Sequence, residues 1–310
     1  MKILITGSSG YFGSILWNFL VSEKISVVGI DIRQNHDRIP AEYYSFHNCN
    51  ITDKKNLNRI FSEEQPTHVV HFACTFNKLR NKKKEHFIDV GGSVNILDAA
   101  NNTPSVRQVI FSSSAAVYGG YSDNPEWIKE IHESRPGKYS YGCNKKQIEQ
   151  IYLTGSKRED LKVIVTRICT LTGPSYSSER VLLRLISKFP YLPEFYRSNR
   201  LQLLHEQDFV LLMTEILKDE EVSGIYNMAS DTYSYVYDLV PGKKFFRLPK
   251  NVLKSMLWIL WNLKILNLSP ASINTSIYPV ILDPSKLKDR YNYKFRYSTA
   301  SAFSEIHNSH

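Results

Sequence analysis

The sequence predicts an α/β protein built on a doubly wound parallel sheet, with a smaller, mostly C-terminal α/β domain beyond it. Short apolar runs alternate with stretches of helical periodicity through the first half of the chain. A glycine-punctuated turn joins the first run to the first helix, and beyond Gly173 the alternation gives way to short pieces marked by Pro174, Pro190 and Pro193. Such alternation implies crossover helices, which cover both faces of a parallel sheet.

In chain order, Lys2–Thr6 is an Ile- and Leu-rich run and the first expected strand. Gly7, Gly10 and Gly13 follow, and Tyr11–Glu23 continues with helical spacing. Further strands are expected at Ser26–Ile30, Tyr44–Phe46, His68–Phe72, Gln108–Ser112 and Lys162–Arg167, with helices at Lys54–Glu64, Glu85–Asn101 and Ser140–Thr154. The segment Tyr118–Gly137 is too long and irregular for a simple connector and reads as a substrate-side loop. A later strand, Gly224–Ala229, is expected to rejoin the sheet. These elements divide the chain into a nucleotide-binding domain over residues 1–172, with about 201–229 returning to it, and a substrate domain over 173–200 and 230–310. Pro249–Leu268 reads as a Trp- and Leu-rich helix that packs on the substrate cleft or a partner, with a membrane surface as the alternative.

Composition bounds the rest. The chain has 310 residues, 42% hydrophobic and 22% charged, which is ordinary for a globular protein. Its net charge of +9 includes the cluster Lys78, Arg80, Lys82, Lys83 and Lys84, a solvated face or an electrostatic funnel for an anionic substrate. No nucleic-acid motif accompanies the charge, so no nucleic-acid partner is expected. Cys49, Cys74, Cys143 and Cys169 are scattered without a CxxC pair or zinc spacing, so neither a metal nor a disulfide framework is expected. The first residues already form a strand, leaving no room for a leader, and no uninterrupted apolar stretch reaches the about 18 residues of a membrane span. A cytoplasmic protein without a transmembrane segment is expected.

The chemistry starts at the glycines. GxxGxxG between a strand and a helix lets the backbone turn tightly and bring a pyrophosphate onto the N–H groups at the helix start. Asp31 closes the second strand about 20 residues on, where a carboxylate can accept both ribose hydroxyls of an adenosine. That strand–turn–helix–strand–Asp unit predicts dinucleotide binding. Asp31 repels a 2′-phosphate and favours NAD over NADP, although Arg33 nearby could accommodate one.

Tyr141 and Lys145 form a YxxxK spacing inside an expected helix, so the phenol and the ammonium share one face. A nearby cation stabilises a phenolate, which suits a tyrosine to acid–base work. The alternative is an exposed Tyr–Lys pair. Phe111 to Gly119 holds Ser112, Ser113 and Ser114 at the end of an expected strand, where α/β sheets bind ligands, or else forms a polar turn. His68 and His71 lie on the strand before Phe72, Ala73 and Cys74, whose small residues let a cofactor pass; both histidines read more safely as satisfied groups near a strand.

Together these blocks resemble the extended short-chain dehydrogenase/reductase superfamily, in its NAD-dependent epimerase/dehydratase branch of Rossmann proteins. The resemblance covers Thr6–Gly13, Asp31, Asn50–Asp53, Ser112–Gly119, Tyr141 with Lys145, the Arg167 to Pro174 turn, Leu204–Asp208, Tyr226–Asn227 and Leu282–Leu287. It implies Tyr141 as general acid/base, Lys145 as ribose holder, and Ser114 as the group that positions the reacting oxygen. It further implies an NAD site of Gly7, Ser9, Gly10, Tyr11, Phe12, Gly13, Asp31, Ile32, Arg33, Asn50, Ile51, Phe72, Ala73, Cys74 and Ser112 together with Tyr141 and Lys145. Ser113, Ser114, Thr170 and Arg184 would face the substrate, and homodimers would form through the helices near Glu85–Asn101 and Ser140–Thr154.

Ala115 and Ala116 replace the Asp-Glu pair of the family's 4,6-dehydratases, which disfavours dehydration. The resemblance is to UDP-glucose 4-epimerase-like proteins of an atypical subgroup: Arg200 stands one position early, Thr170 and Asp89 replace asparagines, and Ser272–Ser276 lacks the RxGD-like contact. A C4 epimerase of a UDP-sugar is the expected activity. The alternatives are a reductase or dehydrogenase acting on a small or lipid-like substrate, and a dinucleotide-binding regulator without catalysis.

Overall fold

The computed structural model describes residues 1–34, 42–76, 79–155, 157–175, 190–193, 199–263, 274 and 277–308. They fall into two compact units. One comprises Met1–Ser114, Asn144–Arg167 and Val210–Tyr226; the other comprises Ala115–Cys143, Ile168–Phe209 and Asn227–His310.

The first unit is built on a seven-stranded sheet. Its strands are β1 (Lys2–Thr6), β2 (Ser26–Asp31), β3 (Tyr44–Asn48), β4 (His68–His71), β5 (Gln108–Ser114), β6 (Lys162–Ile168) and β7 (Gly224–Met228). Their order is β7-β6-β5-β4-β1-β2-β3, and the strands from β5 to β3 pair in parallel. Between them run α1 (Tyr11–Ser22), α2 (Lys54–Glu64), α3 (Lys82–His86), α4 (Gly92–Asn101) and α5 (Ser140–Thr154). The central strands are apolar on both faces because both faces are covered: Leu4, Val28, Val69, Val109 and Val165 are all buried in one cluster with Leu57, Ile60 and Phe61 of α2 and Ile96 of α4. Asp53 caps α2 by accepting from the Asn56 N–H at 3.1 Å, which explains why that helix starts where its apolar spacing does.

The register decides where chemistry can happen. Thr6 pairs with both Ile30 and His71, and His71 pairs with Phe111. The residues that follow these strands therefore emerge at one edge of the sheet: the glycine turn, Asp31, Phe72–Cys74 and Ser112–Ser114. Chain order reverses between β1 and β4, the switch point at which open α/β sheets bind ligands.

Two expected helices differ. The helix expected over Glu85–Asn101 starts at Lys82, where the Asn81 side chain accepts from the Lys84 N–H at 3.0 Å. A π-turn over Phe87–Gly91 then interrupts it before α4. Asn81 is a good cap, hidden in the sequence by the lysine run behind it. The Trp-rich helix runs over Lys250–Asn262; its expected continuation at 264–268 lies outside the described residues.

The second unit has short strand pairs in place of a large sheet. Thr170–Thr172 pairs in parallel with Leu203–His205, Tyr191–Pro193 in parallel with Lys244–Phe246, and Arg200–Leu201 antiparallel with Ser234–Tyr235. Buried polar side chains tie it together. The Gln202 amide donates to the Ser230 and Leu282 carbonyls at 2.7 and 2.9 Å and accepts from the Leu282 N–H at 2.8 Å. Asp208 accepts from the Tyr293 hydroxyl and the Arg296 and Tyr297 N–H groups. Asn227 donates to the Ile128 and Asp283 carbonyls and accepts from the Tyr118 hydroxyl at 3.0 Å.

Candidate active site

The turn after β1 is shaped by two glycines. Gly7 has φ +71°, and a Cβ there would come within 2.7 Å of the Ala73 nitrogen. A Cβ on Gly13 would fall on the Gly7 carbonyl oxygen, so this glycine lets α1 pack directly onto the turn. Gly10 caps α1 without a side-chain hydrogen bond, and the helix has no acidic residue in its first turn. An uncapped helix start behind a tight turn is what an anionic phosphate requires.

Asp31 is oriented by backbone. One carboxylate oxygen accepts from the Ser9 N–H at 3.1 Å; the other accepts from Ile32 N–H at 2.7 Å and Arg33 N–H at 3.4 Å. The Ser9 hydroxyl donates to the Arg33 carbonyl at 2.6 Å. These bonds join the glycine turn to the end of β2, and the two oxygens keep acceptor capacity for a diol. Phe12 meets Phe72 edge to face at 5.9 Å, beside the Ala73 N–H, which donates to Thr6 Oγ1 at 3.3 Å. Tyr11 contacts Phe12 edge to face, and Cys74 is half-buried. Asn50 organises the turn after β3 by accepting from the Thr52 N–H and hydroxyl, and Asn95 donates to the Ile51 carbonyl at 3.0 Å.

Tyr141 and Lys145 stand one turn apart on α5, 8% and 3% exposed. The Lys145 ammonium donates to the Ser112 carbonyl at 2.6 Å and lies over the Phe111 ring at 4.7 Å. Alternation along β5 puts Ser112 and Ser114 on one face and Ser113 on the other. The Ser113 hydroxyl accordingly donates to the buried Glu149 carboxylate. Arg167 grips that carboxylate through Nε at 3.0 Å and Nη2 at 2.7 Å, with both side chains 5% exposed. This buried triad was not anticipated. Its one sequence signal is a charged Arg167 near the end of a strand whose centre, Val163–Val165, is apolar.

A second buried network lies beside it. His71 shares hydrogen bonds with Thr6 Oγ1 at 2.6 Å and Ser93 Oγ at 2.8 Å, so it is a satisfied group in the core. Asp89 accepts from the Thr75 N–H and hydroxyl and from Asn144 at 3.4 Å. Burial pushes the Asp89 carboxyl up, against the pull of the Thr75 N–H and the Lys145 charge.

The histidines carry a pH prediction. Burial lowers His71 to about 3, with the Lys145 charge acting in the same direction, and lowers His68 to about 4. An unfolded histidine titrates near 6.5, so between these values the unfolded state binds the extra protons. The stability contribution is complete above pH 6.5 and falls as pH drops toward 3. The midpoint of thermal unfolding should therefore decline from pH 7 to pH 4, and His71→Gln should flatten that decline.

Thr170, expected to face the substrate, begins a short strand and is half-buried beside Leu203. Ala115–Val117 forms one 3₁₀ turn. Arg200 pairs with Glu126 at 3.7 Å and lies over the Tyr233 ring. Arg184 lies outside the described residues. Among the described residues no helix is long and apolar enough to cross a membrane.

The profile of the NAD dependent epimerase/dehydratase family matches residues 3–229. An uncharacterized protein of Mycobacterium tuberculosis is 26% identical over 98% of this chain and 82% of its own length. Among solved structures, the UDP-glucose 4-epimerase of Thermotoga maritima with UDP-glucose superposes with a TM-score of 0.76 at 19% identity, covering all of this chain (100%) and 98% of that one. The Bordetella bronchiseptica enzyme WbmG in complex with NAD and UDP gives 0.75 at 21% identity, covering 99% and 94%. At these identities the solved structures establish the fold.

Proposed function

The chain belongs to the NAD dependent epimerase/dehydratase family, and from that premise we propose that it is a nucleotide-sugar epimerase inverting a hydroxyl-bearing carbon, C4 of a UDP-sugar. The carrying observation is α5: it holds Tyr141 one turn before a Lys145 that is buried and anchored to the Ser112 carbonyl. The tight glycine turn, the uncapped start of α1 and the backbone-held Asp31 fit NAD+, which when bound supplies the hydride acceptor and, in the return step, the donor.

This chain's residues do the rest. Tyr141 as phenolate takes the proton from the sugar hydroxyl as the carbon is oxidised to a ketone, then returns it after the ring has turned over. Lys145, held by Ser112, stabilises the phenolate and holds the nicotinamide ribose. Ser114 donates to the reacting oxygen, and Ser113 is assigned to the Glu149 triad rather than to substrate. Ala115 and Ala116 leave the 3₁₀ turn without the acid and base of a dehydration. We read Asp31 as the choice of NAD over NADP. The exposed Phe87 beside α4 supports a homodimer through these helices. Four free cysteines support a reducing, cytoplasmic setting.

The test is mass spectrometry of nucleotide released on denaturing the purified protein. Near-stoichiometric NAD+ is expected, because epimerisation returns its hydride inside one site. Protein that is empty and consumes NADH or NADPH stoichiometrically would instead make it a reductase.

A further inference from the structure

The helix Lys250–Asn262 turns apolar side chains outward. Val252, Met256, Ile259 and Leu263 follow one another at spacings of four, three and four, so they form a single stripe, and they are 45, 47, 49 and 63% exposed. Trp258 is 60% exposed, and Phe246, just before the helix, is exposed as well. The charge along this stretch of sequence has one sign. Between Asp238 and Asp283 the chain carries Lys243, Lys244, Arg247, Lys250, Lys254 and Lys264 and no aspartate or glutamate.

We propose that this helix docks the protein on an anionic lipid bilayer surface, its Val252–Leu263 stripe entering the headgroup boundary and the exposed Lys244 and Arg247, just before the helix, meeting lipid phosphates. The helix has 13 residues and so rises about 20 Å, short of the about 30 Å of a hydrocarbon core, which suits it to lie in the interface. Protein–protein interfaces are depleted in lysine, whereas an exposed apolar stripe in a basic stretch of chain that also exposes a tryptophan is the composition of an interfacial helix. The cytoplasmic leaflet carries the complementary charge. This inference does not depend on which sugar, if any, the enzyme turns over.

Flotation of the full chain with vesicles tests it. The protein should float with mixed phosphatidylcholine/phosphatidylglycerol vesicles and stay behind with phosphatidylcholine alone. Raising salt should weaken the binding, and Lys244→Gln and Arg247→Gln should each weaken it roughly fivefold. The double variant Met256→Asp/Ile259→Asp, made at exposed positions, should lose binding by roughly tenfold or more with unchanged circular dichroism and thermal unfolding. Trp258→Phe should remove the blue shift of tryptophan emission that accompanies binding. Absence of flotation with anionic vesicles, or equal flotation of the Asp variant, would overturn the proposal. So would light scattering showing that the parent is a dimer and the Asp variant a monomer, since a second copy would then cover the stripe.

Discussion

Tyr141→Phe is expected to reduce kcat by about 10²–10⁴-fold, the usual contribution of a positioned acid or base, while the purified variant still releases bound NAD+ on denaturation. The substitution deletes one oxygen and keeps a ring that is 8% exposed and packed near Tyr139. Its structural cost should stay near the about 1 kcal/mol of one hydrogen bond. The cofactor determinants do not depend on that oxygen: Asp31 is held by Ser9, Ile32 and Arg33, and Lys145 by Ser112. Lys145→Met supplies the contrast, since it leaves the Ser112 carbonyl without its buried donor and removes the proposed ribose contact. It should lower both turnover and retained NAD+. Single-turnover measurements separate the two, because a Tyr141→Phe enzyme with cofactor bound should fail at the chemical step itself. A Tyr141→Phe enzyme whose kcat stays within a few-fold of the parent would remove Tyr141 from the acid–base role.

Where the fold was legible, the reason was burial. β1 and the cores of β2, β4 and β6 are covered on both faces, so they appear as short apolar runs. β3 and β5 run two residues longer than their apolar content: Asp31 pairs with Asn48 and extends β3, and β5 continues through Ser113 and Ser114. The cofactor turn was legible for a related reason, since only glycine satisfies its backbone at Gly7 and Gly13. The second unit was not. Strands of two or three residues carry no periodic signal, and what binds them are bonds such as Gln202 to Leu282 and Asp208 to Tyr293, far apart in sequence. On the proposed function, substrate residues fall largely in this unit, so the catalytic chemistry can be read further than the specificity.

The Glu149–Arg167 pair should be the most stability-sensitive polar contact of the first unit. Glu149→Ala is expected to cost about 3–5 kcal/mol, because it leaves a guanidinium buried without its counter-charge and takes the acceptor from Ser113. Against a total stability of about 5–15 kcal/mol, that is enough to lower the unfolding midpoint by many degrees or to abolish soluble expression. Arg167→Met should be damaging for the mirror reason. Combining Glu149→Leu with Arg167→Met removes both charges together, and replacing a buried pair by apolar residues of similar volume is often neutral or stabilising. The double variant should therefore recover most of the stability lost by either single change, in chemical denaturation at neutral pH. Activity need not recover with it. Glu149 lies one turn beyond Lys145 on α5, and its bond to Ser113 clamps that helix to β5 next to the carbonyl that anchors Lys145. A double variant that is stable yet holds less NAD+ or turns over more slowly would show that the pair sets the distance between α5 and β5. Full activity in the same variant would confine the pair to stability, and a double variant no more stable than Glu149→Ala would refute the charge-burial account itself.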